Sequence, residues 1–217
     1  MKKLKIPTLA IILLSILIPA QLSAQSKFAG IKGGLNLASM SIEDADDKNI
    51  IPRFHAGVWG RMMINEQFGV QPEILYSARG VKAVYDADFL GFDIADGETT
   101  LDLAYIDIPI YLTYNLSEDF NFHLGPYLGI LLNAKIETDA EILEFLNYNN
   151  MDDVDREEFN PLDFGISGGL GFTIDPVNFG FNYNLGLRQA AKAGSNMEDH
   201  INDAKNNNIQ VYVGLVF

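Results

Sequence analysis

From Ala29 to the C-terminus the chain alternates apolar and polar residues in eight separate stretches. A period of two marks a strand with one greasy face. Ala29–Leu37 sets Ile31, Leu35 and Leu37 against Lys32 and Asn36, and Phe54–Ile64 sets Phe54, Val58, Met62 and Ile64 against His55, Trp59 and Arg61. Phe68–Ala78 opposes Val70, Ile74 and Tyr76 to Gln71, Glu73 and Ser77, and the stretch ending at Tyr114 opposes Ile106, Ile108, Ile110 and Leu112 to Asp107, Tyr111 and Thr113. Phe120, Phe122, Leu124 and Leu128 then face away from Asn121, His123 and Tyr127, and Leu162, Phe164, Ile166, Leu170 and Phe172 away from Asp163, Ser167 and Thr173. Phe179 to Leu187 oppose Asn182 and Asn184, and the odd positions Ile209 to Phe217 form the last apolar stripe. Each stretch is close to the roughly 9–11 residues with which a tilted strand crosses a bilayer.

The connections alternate in length. Asn65–Gln67, Asn115–Asp119 and Asp175–Asn178 read as tight turns rich in Asn, Asp and Pro. The connections near 38–53, 79–100, 135–161 and 188–208 read as long loops. Outer-membrane barrels place short turns in the periplasm and longer loops outside the cell. The pattern therefore predicts an all-β fold: an eight-stranded antiparallel up-and-down transmembrane β-barrel with both termini periplasmic. Phe68, Tyr114, Phe120, Phe172, Phe179 and Phe217 lie beside the short turns or the terminus, where an interfacial aromatic girdle is expected. Pro72, Pro109 and Pro126 fall inside strands and are expected to mark bulges or irregularities. The opposite assignment, a soluble periplasmic carrier with a greasy interior, shares the alternation. Its polar face should be a solvated exterior, which fits poorly with Trp59 and many glycines there.

The N-terminus adds a destination. Met1–Lys5 is basic, Ile6–Ala20 is nearly free of polar residues, and Gln21–Gln25 offers a small residue at Ala24. This predicts a signal peptide over 1–24 and a barrel domain over 25–217. Removing 24 of 217 residues leaves 193 and takes Lys2, Lys3 and Lys5, so 12 basic residues face 29 acidic ones, a balance of −17. Such a chain does not neutralise phosphates, so nucleic acid is not an expected partner. Cysteine is absent, which excludes disulfides, thiolate metal sites and an N-terminal lipid anchor through Cys. The long connections carry 21 of the 29 acids, so the charge is expected at one end of the barrel.

Several segments resemble the PorT-like outer-membrane β-barrel family of Gram-negative bacteria. They are Gly30-Ile31-Lys32-Gly33-Gly34-Leu35-Asn36-Leu37, Phe54-His55-Ala56-Gly57-Val58, Gln71-Pro72-Glu73-Ile74-Leu75-Tyr76-Ser77, Tyr105-Ile106-Asp107-Ile108-Pro109 and Gly125-Pro126-Tyr127-Leu128-Gly129. The resemblance implies an outer-membrane barrel of eight strands and no single activity. It also implies that the ending Val211, Val213, Leu215, Phe217 is an assembly signal read by the barrel-assembly machinery.

A three-residue turn at Asn65–Gln67 makes partner numbers sum to about 132. His55 should then face Ser77, Trp59 should face Glu73, and Arg61 should face Gln71 with Glu73 on the diagonal. These six residues are expected to form a structural polar network in the lumen, with Arg61 and Glu73 as its ion pair. The sharper reading makes His55 and Ser77 the base and nucleophile of a rim-sited lipid-modifying enzyme. No acid stands beside them on these strands, and no nucleophile motif surrounds Ser77. His55 and His123 are expected too far apart to share a metal, and no cofactor is implied. The acid run Asp152–Glu158 could ligate Ca²⁺ but lacks EF-hand spacing. It reads rather as a solvated loop that meets lipopolysaccharide through divalent ions, and Leu143–Tyr148 within it as a short helix or a protein contact. The expected function is non-enzymatic: a filled barrel in outer-membrane lipid, acting through its loops in a structural, adhesive or secretion-accessory role.

Overall fold

A computed structural model describes residues 27–40, 48–89, 92–140, 151–152, 159–192 and 205–217. Their strands are β1 (Lys27–Met40), β2 (Lys48–Met63), β3 (Phe68–Phe89), β4 (Phe92–Asn115), β5 (Phe120–Ala140), β6 (Met151–Asp152), β7 (Leu162–Ile174), β8 (Val177–Gln189) and β9 (Lys205–Val216). Eight of them form a ring in the order β4-β3-β2-β1-β9-β8-β7-β5, closed by β4 against β5, with the two-residue β6 on the outer part of β5. All pairings are antiparallel. The terminal strand closes on the first, with Val211 opposite Leu35 and Leu215 opposite Ile31. Closure leaves the barrel wall without an unpaired edge.

The apolar stripes point outward. Leu35, Phe54, Val58, Leu112, Leu124, Ile166, Phe181 and Val213 are exposed, while their neighbours along each strand are buried in the lumen. This is the face order of a membrane barrel, and it overturns the carrier with a greasy interior. Around the short-turn end the outward aromatics meet in pairs. Phe68 lies 5.1 Å from Tyr114, Phe120 5.1 Å from Phe122 and Phe172 5.3 Å from Phe179, measured between ring centroids. No helix among the described residues is long and apolar enough to cross a membrane, so crossing falls to the strands.

Two expectations change. The connection read as a loop at 79–100 is mostly ladder: β3 and β4 stay paired from Phe68–Tyr114 out to Phe89–Phe92. Strands β3, β4 and β5 have 22, 24 and 21 residues, about twice what a bilayer crossing needs, so this side of the wall projects beyond the membrane. Pro72, Pro109 and Pro126 do not shift the register either. Gln71–Tyr111 and Leu75–Asp107 share one register on either side of Pro72, and Pro126 stands opposite Ile166 in an unbroken series. Pro109 likewise keeps the β4–β5 register, opposite Tyr127. The shifts fall at Ile51/His55, Ala87/Asp88, Ala104/Tyr105 and Leu185/Gln189 instead. A different proline, Pro52, falls within the Ile51/His55 shift, where a missing ladder donor is tolerated.

Candidate functional site: the polar lumen

The lumen contains the chain's chemistry because every second residue of eight strands points into a bore too narrow to stay empty. In the β2–β3 hairpin, His55 stands opposite Ser77 and Trp59 opposite Glu73. The Arg61 Nε donates to Gln71 Oε1 at 2.7 Å, and Gln71 Nε2 donates to Glu73 Oε1 at 2.7 Å. The ion partner of Glu73 differs from the expected Arg61. Lys32 on β1 places its Nζ 2.5 Å from Glu73 Oε2, and both side chains are shut away from solvent. Lys32 also lies 4.4 Å from the Tyr212 ring, and Arg61 lies 5.6 Å from the Trp59 ring. Diagonal reach across one strand pair suggested Arg61. The curved wall brings β1 and β3 side chains together over β2, which a hairpin register does not reveal.

Toward the long-connection end is a second ion cluster that the sequence reading missed. Arg79 Nη1 donates to Asp163 Oδ2 at 2.7 Å, and its Nη2 donates to Asp107 Oδ2 at 2.6 Å. Tyr127 donates its hydroxyl to Asp163 at 3.2 Å, and the Asn206 amide donates to Asp163 and to the Tyr105 hydroxyl, each at 3.3 Å. The guanidinium sits 4.6 Å from the Tyr105 ring centroid. Arg79 shares the inward parity of Gln71, Glu73 and Ser77, and that parity was the available signal. The loop-like composition that follows Arg79 hides that signal. Above this cluster the inner face turns apolar: Leu101, Leu103, Leu131, Ala134, Phe159, Ala190 and Ala191 are buried. Asn160 fastens that end by donating its side-chain amide to the carbonyls of Gln189 (2.8 Å) and Ala191 (2.6 Å) and accepting from Arg188 (2.9 Å).

Toward the short turns, His123 hydrogen-bonds through Nε2 to Asn182 Oδ1 at 2.6 Å and through Nδ1 to Asn121 Oδ1 at 3.2 Å. Tyr111 and Ser167 share a hydrogen bond of 2.8 Å, and Ser167 donates onward to Asn184. Taken together, the cations Lys32, Arg61 and Arg79 meet the carboxylates Glu73, Asp107 and Asp163 directly or through Gln71. Burying charges in such a bore is tolerable only with this pairing.

The enzyme geometry is not assembled. Ser77 and His55 are 0% and 1% exposed, inside the lumen rather than at a rim. Neither ring nitrogen of His55 has a hydrogen-bond partner, and Ser77 accepts from Asn36 Nδ2 at 3.0 Å. Among the described residues no group of three or more His, Asp or Glu side chains could hold a metal ion. Residues 153–158 of the acid run, Leu143–Tyr148, His200 and the segment 1–24 lie outside the described residues.

Residues 20–192 match the model of the outer membrane protein beta-barrel domain. The chain belongs to that family. Its place is the cell outer membrane, as the outward apolar face and closed ring require. No curated protein matches the sequence. Among solved structures, the chain is similar to Ail, the attachment invasion locus protein of Yersinia pestis, at 12% identity. That match covers 88% of this chain and 99% of Ail, with a TM-score of 0.44. Neisserial surface protein A is 11% identical over 90% of this chain and 100% of its own, with a TM-score of 0.42. OprG from Pseudomonas aeruginosa is 11% identical over 89% and 97%, with a TM-score of 0.38.

Proposed function

We propose that this outer-membrane barrel is non-enzymatic, that its lumen is a structural core, and that it acts through its long connections. The observation that carries this reading is the Arg79–Asp107–Asp163 cluster, which fixes three buried charges across the bore from β3, β4 and β7. A bore crossed in this way serves neither solutes nor catalysis, so interaction falls to the surfaces outside the membrane. The role is structural, adhesive or secretion-accessory. In this reading the short turns face the periplasm, and the projecting β3–β4 hairpin and the connections near 38–53, 135–161 and 188–208 face outward, where their acids meet lipopolysaccharide through divalent ions. A signal peptide over 1–24 exports the chain, and Val211, Val213, Leu215 and Phe217 present the ending to the barrel-assembly machinery. The finer kinship with PorT-like proteins rests on the glycine- and proline-bearing segments quoted above.

The test replaces residues 141–158 with a short Gly/Ser linker and compares cross-linked partners in intact cells. The variant should remain heat-modifiable in the outer membrane and lose cross-linked proteins that the parent captures. An unchanged cross-link pattern would count against this connection as the acting surface. A lipopolysaccharide mass change produced by the parent and abolished by Ser77→Ala would overturn the non-enzymatic reading in favour of the lipid-modifying alternative.

A further inference from the structure

On the outer wall, at the upper edge of the apolar belt, strands β2 to β5 bring together groups that the lumen does not use. Phe54 and Tyr76 are exposed and stack with 5.4 Å between ring centroids and 29° between ring planes. Above them the paired outward positions turn small. Tyr76 stands opposite Ile106, then Ala78 opposite Ala104, then Gly80 opposite Asp102. Asp102 lies between the buried Leu101 and Leu103, which puts it on the outer face. Arg53 reaches across Gly80 to that carboxylate, its Nε donating to Oδ1 at 2.7 Å and its Nη2 to Oδ2 at 2.8 Å. A Cβ at Gly80 would stand 2.8 Å from Asp102 Oδ1 and 3.1 Å from Arg53 Nε, so a side chain there would push the ion pair aside. On the other flank, Lys135 is exposed and stands opposite Asp102 in the β4–β5 register. Both Asp102 oxygens go to Arg53, and among the described residues no ion pair joins Asp102 to Lys135.

The result is a shallow recess that runs about 13 Å along β3 from Tyr76 to Gly80. Its floor is Ala78 and Ala104, its membrane side an aromatic ledge, and its far side two cations against one carboxylate. Aromatic side chains of this kind sit at the level of lipid head groups. The recess is locally positive in a chain of net charge −14, so it suits an anion that the acidic connections would repel. Asp102 orients the guanidinium, and Lys135 supplies charge that no carboxylate here offsets. Arg and Lys are the side chains that hold phosphate oxygens. The small floor leaves breadth for a sugar ring, whose apolar face packs well beside aromatic rings. We propose that Arg53 and Lys135, with Asp102 as orienting group and Phe54 and Tyr76 beneath, bind the phosphorylated sugar head of lipid A, the membrane end of lipopolysaccharide. Its acyl chains would lie along the apolar stripe below, and its phosphate would meet the cations directly. The assignment rests on the outward placement of the long-connection end. It differs from contact through the acids in needing no divalent ion.

Native mass spectrometry of the full chain in detergent micelles reads which lipids the folded barrel retains. Micelles expose both ends of the barrel, so retention does not depend on its orientation in cells. Phosphorylated lipid A should stay bound, whereas its dephosphorylated form and phosphatidylglycerol should be lost. Lys135→Gln should weaken retention about fivefold, the worth of one cation beside an anionic lipid surface. Arg53→Gln with Asp102→Asn keeps the net charge and should weaken retention at least as much. Lys205→Gln removes an exposed cation on β9 and should change nothing. EDTA should not release the lipid. Release by EDTA would leave the contact through acids and divalent ions standing and overturn the direct site. Equal retention of the dephosphorylated lipid or of phosphatidylglycerol, or an equal loss with Lys205→Gln, would also overturn it.

Discussion

Lys32 Nζ lies 2.5 Å from Glu73 Oε2, a contact that spans from β1 to β3 over the intervening β2. It makes Lys32, rather than Arg61, the counter-charge on which Glu73 depends. Lys32→Met should therefore cost about 3–5 kcal/mol of folding free energy, because it removes the only cation in direct contact with the buried Glu73 carboxylate among the described residues. Arg61→Met breaks a charged hydrogen bond to neutral Gln71 and should cost about 1.5–3 kcal/mol. Urea titrations in lipid vesicles measure both. Equal losses, or a larger loss for Arg61, would restore the Arg61–Glu73 pairing.

Arg79 holds two carboxylates at once, through different guanidinium nitrogens. Arg79→Met should destabilise the barrel by about 3–5 kcal/mol. Arg79→Lys should rescue little, because a compact ammonium does not reproduce the two-armed fork. Asp107→Asn with Asp163→Asn in the Arg79→Met background should recover most of the loss by removing the stranded charges. The same titrations report it, and no recovery would mean that Arg79 acts chiefly by packing on Tyr105.

Inner and outer faces of one strand should respond differently. Val211 is 51% exposed on the outer wall, and Gln210 beside it is 1% exposed in the lumen. Val211→Arg should cost about 2–4 kcal/mol if the residue sits near the bilayer midplane. Val211→Leu should be close to neutral. Refolding yield into vesicles, read by heat-modifiable gel migration, separates the two, and equal yields would contradict the outward assignment.

Much of this was legible in the sequence. Period two placed the outward stripes, and the short turn after Met63 fixed the β2–β3 register, with His55 opposite Ser77 and Trp59 opposite Glu73. What escaped were contacts that a strand pattern does not encode. Arg79 on β3 meets Asp163 on β7 across the bore, and Lys32 meets Glu73 across a strand. Both depend on how the sheet curves closed. Arg79 was also obscured by the run of Asp, Gly and Thr after it, which resembles a loop although its backbone stays in the ladder out to Phe89. Fully paired backbone in a projecting hairpin needs no apolar stripe, so composition misleads there.

Phe217 is 76% exposed on the outer wall, and its backbone N–H donates to the Ala29 carbonyl at 2.8 Å, beside the closing β1–β9 seam. Deleting it should leave synthesis intact and reduce insertion in cells. Outer-membrane fractionation with cold-SDS gel migration checks this, and a normal amount of heat-modifiable protein would contradict it.

Whether the lumen is a closed core is tested most directly by single-channel recording of the purified chain in planar bilayers. A bore crossed by Arg79, Asp107 and Asp163, with Leu101, Leu103 and Phe159 buried alongside, should give no large, stable conductance. Persistent open-channel currents of porin size from the folded, heat-modifiable protein would contradict it.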